Sequence, residues 1–228
     1  GPHTIGIRVE PQKTAVKITN AQENIYPLAY GENYFVYTAE KDGYYMIKAS
    51  GGYNWLEYSI NSLDSWQTFN NNQMIKLNKD DKMLLRVAAN SSSTLNLRIS
   101  EVEFTPISAE EPETPYVLAG NENAYYQFTA PETGQYVVNL KRKNEIYVYA
   151  YPEVNGSFNE SRFSDPKEFE LAKDEKLLLR VNNSSYNDAE YRLTAKKILY
   201  QPLSLEEQTT PYSLAKGDVA YYQFTAKE

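Results

Sequence analysis

His3 is the only histidine of the chain, and cysteine is absent. These two facts remove most covalent and metal chemistry. A serine or threonine nucleophile commonly needs a neighbouring base, and a thiolate needs cysteine. A zinc site draws on the same missing residues. The 30 acidic residues could supply the paired carboxylates of glycoside hydrolysis. They gather in turns and connectors, however, and no two fall on neighbouring strands. The chain is expected not to be an enzyme.

What remains is aromatic chemistry, from 21 tyrosines, eight phenylalanines and two tryptophans. Tyrosine and tryptophan give large, rigid contact area with a polar handle, which suits binding. Side chains of a strand alternate between faces. In the stretch 143–150, Ile146, Val148 and Ala150 then point to a core, and Tyr147, Tyr149 and Tyr151 form a ladder outside. In the stretch 53–60, Leu56, Tyr58 and Ile60 point inward, and Tyr53, Trp55, Glu57 and Ser59 outward. Trp66 and Phe69 stand in the loop that follows, as Phe158 and Phe163 do later. Tyr53, Trp55, Trp66, Tyr147, Tyr149 and Tyr151 are therefore the candidate ligand-binding set. They suit an extracellular polysaccharide or a fibrous protein. The same residues could instead pack against a neighbouring repeat, a connector or a second sheet.

The elements that carry them come from repetition. Leu77-Asn-Lys-Asp-Asp-Lys-Met-Leu-Leu-Arg-Val87 recurs as Leu171-Ala-Lys-Asp-Glu-Lys-Leu-Leu-Leu-Arg-Val181. Each copy is a polar turn feeding a short apolar strand. A second signature occurs three times, beginning at Leu28, Leu118 and Leu214 and ending in Thr-Ala. Self-similarity of this kind marks a chain built from repeats. Units of roughly 90–100 residues can each bury a core.

Connectors containing prolines and acids separate the copies, as in Pro106-Ile-Ser-Ala-Glu-Glu-Pro-Glu-Thr-Pro-Tyr116. Proline suits extended connectors and edge segments. The expected organisation follows from them. Residues 1–4 read as a tag remnant, and 5–10 as the last strand of a preceding repeat. Residues 11–105 form repeat 1 and residues 106–200 repeat 2. Residues 201–228 carry a connector and the first strand of a third repeat. A lone strand is not stable, so Ala220–Ala226 is expected to add to an edge, in this chain or a neighbour's. With six to eight short strands per repeat and no helical period, the expected class is all-β: tandem antiparallel β-sandwiches, jelly-roll-like.

A net charge of −7 offers no basic stripe for phosphates, so nucleic acid is not an expected partner. The same sign disfavours anionic membrane surfaces, and no apolar run approaches the ~20 residues of a span. The Asn-, Lys- and Tyr-rich usage without cysteine points to a secreted or cell-surface protein of a Gram-positive bacterium.

The segment Tyr125-Tyr-Gln-Phe-Thr-Ala-Pro-Glu-Thr-Gly-Gln-Tyr-Val-Val138, then Ile146-Tyr-Val-Tyr149, Leu178-Leu-Arg-Val181 and Tyr191-Arg-Leu-Thr194, resembles the bacterial pre-peptidase C-terminal domain. Repeat 1 follows through Tyr37-Thr-Ala39, Gly43-Tyr-Tyr45 and Leu84-Leu-Arg-Val87. The resemblance implies a jelly-roll-like sandwich, used as an accessory module of secreted hydrolases and surface proteins. Related collagen-binding domains of clostridial collagenases hold a polymer. They also bind calcium through acids in the N-terminal linker and first turn. Here Glu110, Glu111, Glu113 and Glu122 occupy those places, but the family's paired turn aspartates are missing near Asn121 and Ala124. Calcium wants roughly six to eight converging oxygens. The favoured expectation is a solvated acidic connector and no cofactor, with calcium as the alternative.

Overall fold

The computed structural model of the chain describes residues 15–18, 24–69, 73–142, 145–151, 153–154, 157–158, 161–203, 213–214 and 219–226. The expected strand at residues 5–9 lies outside them. The described chain is all β, built of antiparallel sheets that pack face to face as β-sandwiches. Among the described residues no helix is long and apolar enough to cross a membrane. The chain divides into two compact units: residues 1–103 with 151–160, and residues 104–150 with 161–228.

The first unit contains β1 (Val16–Lys17), β2 (Asn24–Leu28), β3 (Gly31–Thr38), β4 (Gly43–Gly51), β5 (Trp55–Ile60), β6 (Gln67–Thr68), β7 (Met74–Leu77), β8 (Lys82–Ala89) and β9 (Ser93–Glu101). One sheet has the order β1-β3-β8-β5-β6, and the other runs β7-β4-β9-β2. Between them lies a core that includes Phe35, Tyr58 and Leu85 from the first sheet and Ile47, Leu77 and Leu97 from the second.

The chain continues through β10 (Thr105–Pro106), β11 (Tyr116–Leu118), β12 (Asn123–Thr129), β13 (Gly134–Arg142), β14 (Ile146–Ala150), β15 (Glu153–Val154), β16 (Ser157–Phe158), β17 (Ser161–Arg162), β18 (Lys167–Leu171), β19 (Lys176–Asn183) and β20 (Ala189–Lys197). The second unit repeats the first strand for strand, as β10-β12-β19-β14-β17 and β18-β13-β20-β11. The exception is the β15–β16 hairpin, which belongs to the first unit and extends its second sheet beyond β7. The loop of repeat 2 that carries Phe158 thus supplies strands to the first unit.

The repeated polar turn shows why these strands form where they do. Asp80 and Asp174 hold the left-handed backbone, at φ 70° and 65°, a region that short polar side chains tolerate. Asp81 Oδ2 accepts the Asn78 N–H at 2.7 Å, and Glu175 Oε2 accepts the Ala172 N–H at the same distance. The N–H of Asp80 and of Asp174 then bonds the carbonyl of Ala39 and of Ala130, each at 2.8 Å. One longer acid replaces one shorter acid, and the turn is unchanged. The Asn61 side chain, together with the Asn78 N–H, holds the Asp81 carboxyl below the usual carboxylate range.

Each unit begins with a short parallel pair. Val16 stands opposite Phe35, and Thr105 opposite Tyr126. The pattern starts a third time in β21 (Tyr200–Pro202) and β22 (Tyr221–Gln223), where Gln201 faces Tyr222. The residue after each short strand donates its N–H to the partner: Ile18 to Val36, Ile107 to Gln127 and Leu203 to Gln223, at 2.8, 3.0 and 2.8 Å. The tail strand expected at Ala220–Ala226 therefore pairs within this chain, through Tyr221–Gln223. It is grouped with the second unit.

Candidate functional site

Both units set an arginine in the middle of the first sheet's outer face. On β8, Met83, Leu85 and Val87 take the core, so Leu84 and Arg86 face outward. On β19, Leu177, Leu179 and Val181 take the core, so Leu178 and Arg180 face outward. Pairing register then builds a row across four strands. In the first unit Tyr34 lies opposite Arg86, Arg86 opposite Glu57, and Glu57 opposite Thr68. In the second, Tyr125 lies opposite Arg180, Arg180 opposite Tyr149, and Tyr149 opposite Arg162. The rows read Tyr-Arg-Glu-Thr and Tyr-Arg-Tyr-Arg.

The first row neutralises itself. Glu57 Oε2 accepts Arg86 Nη2 at 2.5 Å and Nε at 3.0 Å. This bond raises the arginine further above its ordinary value. Trp55 and Trp66 both lie near the same guanidinium, their ring centroids 5.3 and 4.6 Å from its carbon. Trp66 is itself anchored, because its indole N–H donates to the Leu63 carbonyl at 2.8 Å and its ring stands edge-on to Tyr34. The Tyr34 hydroxyl donates to Glu32 at 2.6 Å, a bond that pushes the phenol up.

The second row carries two cations and no anion. Arg180, 6% exposed, lies 4.1 Å over the Tyr149 ring. It donates to Asn123 Oδ1 at 2.6 Å, and Asn182 Nδ2 reaches the same oxygen at 3.1 Å. Arg162 lies 3.8 Å over the Tyr147 ring, with Arg142 at 5.9 Å from it. Arg142 pairs with Asp165 at 3.2 Å and donates to the Ile146 carbonyl. An open pocket of about 440 Å³ is lined by Arg142, Tyr147, Arg162, Phe163, Ser164 and Asp165.

The structure sorts the candidate aromatics. Tyr147 and Tyr149 do lie on the outer face, half-buried under arginines. Trp55 is outward and 38% exposed. Two positions need correction. Tyr53 packs against the core, and its hydroxyl donates to the Ala49 carbonyl at 3.3 Å. β5 begins only at Trp55, and Gly51 at φ 130° breaks the alternation before it. Tyr151 is 2% exposed and no rung of the ladder, because β14 ends at Ala150.

The acidic candidates lie in ordinary pairings. Glu111 holds Lys141 at 2.7 Å and Arg192 at 3.6 Å. The Glu113 carbonyl accepts Arg192, and Glu110 and Glu122 donate their N–H groups to Ser108 and Ala119. Glu110, Glu111, Glu113 and Glu122 are not brought together. Among the described residues no three acidic, histidine or cysteine side chains converge.

The arginines are what a reading of aromatics alone misses. Their signal is present in the repeated Leu-Leu-Arg-Val, where a charge interrupts an apolar strand at an outward position. A scan of the chain against protein-family models returns no match, and a search of curated proteins finds no significant similarity.

Proposed function

We propose that the chain is a non-enzymatic repeat module of a secreted or cell-surface bacterial protein, acting as a structural spacer or assembly element. The observation that carries this reading is the parallel pair that opens each unit. It recurs three times in one register, at β1 with β3, β10 with β12 and β21 with β22. A chain that restarts the same fold through the same connection adds body unit by unit. The partners found for the outer aromatics support the same reading, since Trp55, Trp66, Tyr147 and Tyr149 all stack on arginines of their own unit. The resemblance of both repeats to the pre-peptidase C-terminal domain supports an accessory role outside the cell.

Small-angle X-ray scattering tests the spacer. The chain is compared with a version in which residues 104–200 occur twice in tandem. A spacer lengthens by about one unit's long dimension. An unchanged maximum dimension, with the added mass folded back on the rest, would contradict it.

A further inference from the structure

The outer row of the second unit differs from that of the first in one consistent way. Where the first unit has Glu57 and Thr68, the second has Tyr149 and Arg162. Where the first has Glu32, hydrogen-bonded to Tyr34, the second has Asn123, bonded to Arg180. Two carboxylates are gone and one arginine is added on the same sheet face. The extra arginine sits at the pocket, beside Arg142 and Asp165. Among the described residues no carboxylate pairs with Arg162, and the residue is exposed. Its guanidinium is nonetheless held, with its carbon 3.8 Å over the centroid of the Tyr147 ring. A cation fixed in this way has less rotamer freedom to lose when a ligand arrives. Guanidinium presents a planar fork of donors that matches carboxylate and phosphate oxygens.

We propose that this pocket binds an oxyanion group, a carboxylate or phosphate, carried on a polysaccharide. Arg162 meets the anion, Arg142 adds a second positive charge shared with Asp165, and Tyr147 and Phe163 give flat walls beside them. A ring bearing its own charge fits such walls better than an acidic peptide, whose carboxylates stand on flexible stems. The site does not depend on the spacer reading, since a spacer with or without it has the same length.

Native affinity electrophoresis of the whole chain tests the proposal, in gels containing polygalacturonate, phosphorylated dextran or plain dextran. The chain has a net charge of −7, so slowing by an anionic polymer is not a bulk charge effect. Slowing is expected in one or both anionic gels, less at high salt, and none in plain dextran. The gel that slows the chain tells carboxylate from phosphate. Arg162→Gln should weaken the slowing about tenfold, as loss of one charge-assisted contact does, with an unchanged melting temperature. Equal slowing of Arg162→Gln and the parent chain, equal slowing in plain dextran, or no slowing in any gel would overturn the proposal.

Discussion

The two units share a framework and differ where the framework leaves room. Strand order, the polar turn and the opening parallel pair are the same in both. These are the features in which backbone donors and acceptors must find each other, and an unmet buried group is expensive. The differences lie on side chains that the backbone does not need. Phe35 and Leu95 of the first core correspond to Tyr126 and Tyr191 of the second, whose hydroxyls meet at 2.5 Å. Lys41 pairs with Glu101 at 2.9 Å, and the matching positions hold Glu132 and Lys197 at 2.8 Å, with the signs exchanged. The outer row changes from self-neutralised to cationic. A fold held by its backbone pattern can therefore carry a changed surface without changing shape.

Substitution in the cores should produce the largest effect and tests whether the units are equivalent. Leu85 and Leu179 are fully buried at matching positions. Leu85→Ala and Leu179→Ala should each cost about 2–5 kcal/mol, read by denaturant unfolding. A silent variant in either unit would break the equivalence.

The tyrosine pair sharpens the comparison at intermediate size. Tyr126→Phe leaves the Tyr191 hydroxyl buried without this partner and should cost about 1–3 kcal/mol. Tyr126→Phe with Tyr191→Phe should recover most of that, moving the second core towards the first. Burial is also the largest cause that pushes Tyr126 and Tyr191 up, as it pushes Tyr37 of the first unit up to about 12. A folded value above the unfolded one favours the folded state at low pH. That contribution is complete below pH ~10, the unfolded value for tyrosine, and is lost as pH rises through the folded values. Unfolding followed from pH 9 upward should show falling stability together with late tyrosinate absorbance.

The exchanged ion pair gives the smallest effect. Lys41→Glu should lower the melting temperature barely beyond detection, because exposed pairs contribute little. Lys41→Glu with Glu101→Lys, which writes the second unit's signs into the first, should restore it. A large loss from the single change would show that this pair matters more than its exposure implies.

Much of this was legible in the sequence. Period-two alternation placed Ile146 and Val148 inside and Tyr147 and Tyr149 outside, because local strand geometry decides it. The repeated turn announced β8 and β19. The rows were not legible, because register between distant strands decides which residues share a line. Arg180 and Tyr149 meet across a ladder that no local pattern specifies. Arg162 stood in a stretch that reads as a variable loop and carries only the two-residue β17. Alternation carried past the ends of β5 and β14 puts Tyr53 and Tyr151 on the wrong face. A glycine and a departing chain had already broken it there.

Matching faces of two matching units have different chemistry. Arginine side-chain Nε–Hε resonances test this, followed by NMR while galacturonate oligomers and, separately, phosphorylated dextran oligomers are titrated into the whole chain. Arg162 should shift with at least one of the two, with Arg142 following, while Arg86, held by Glu57 beside Trp55 and Trp66, stays in place. An Arg86 that shifts as far as Arg162, or no shift at either residue with either ligand, would contradict it.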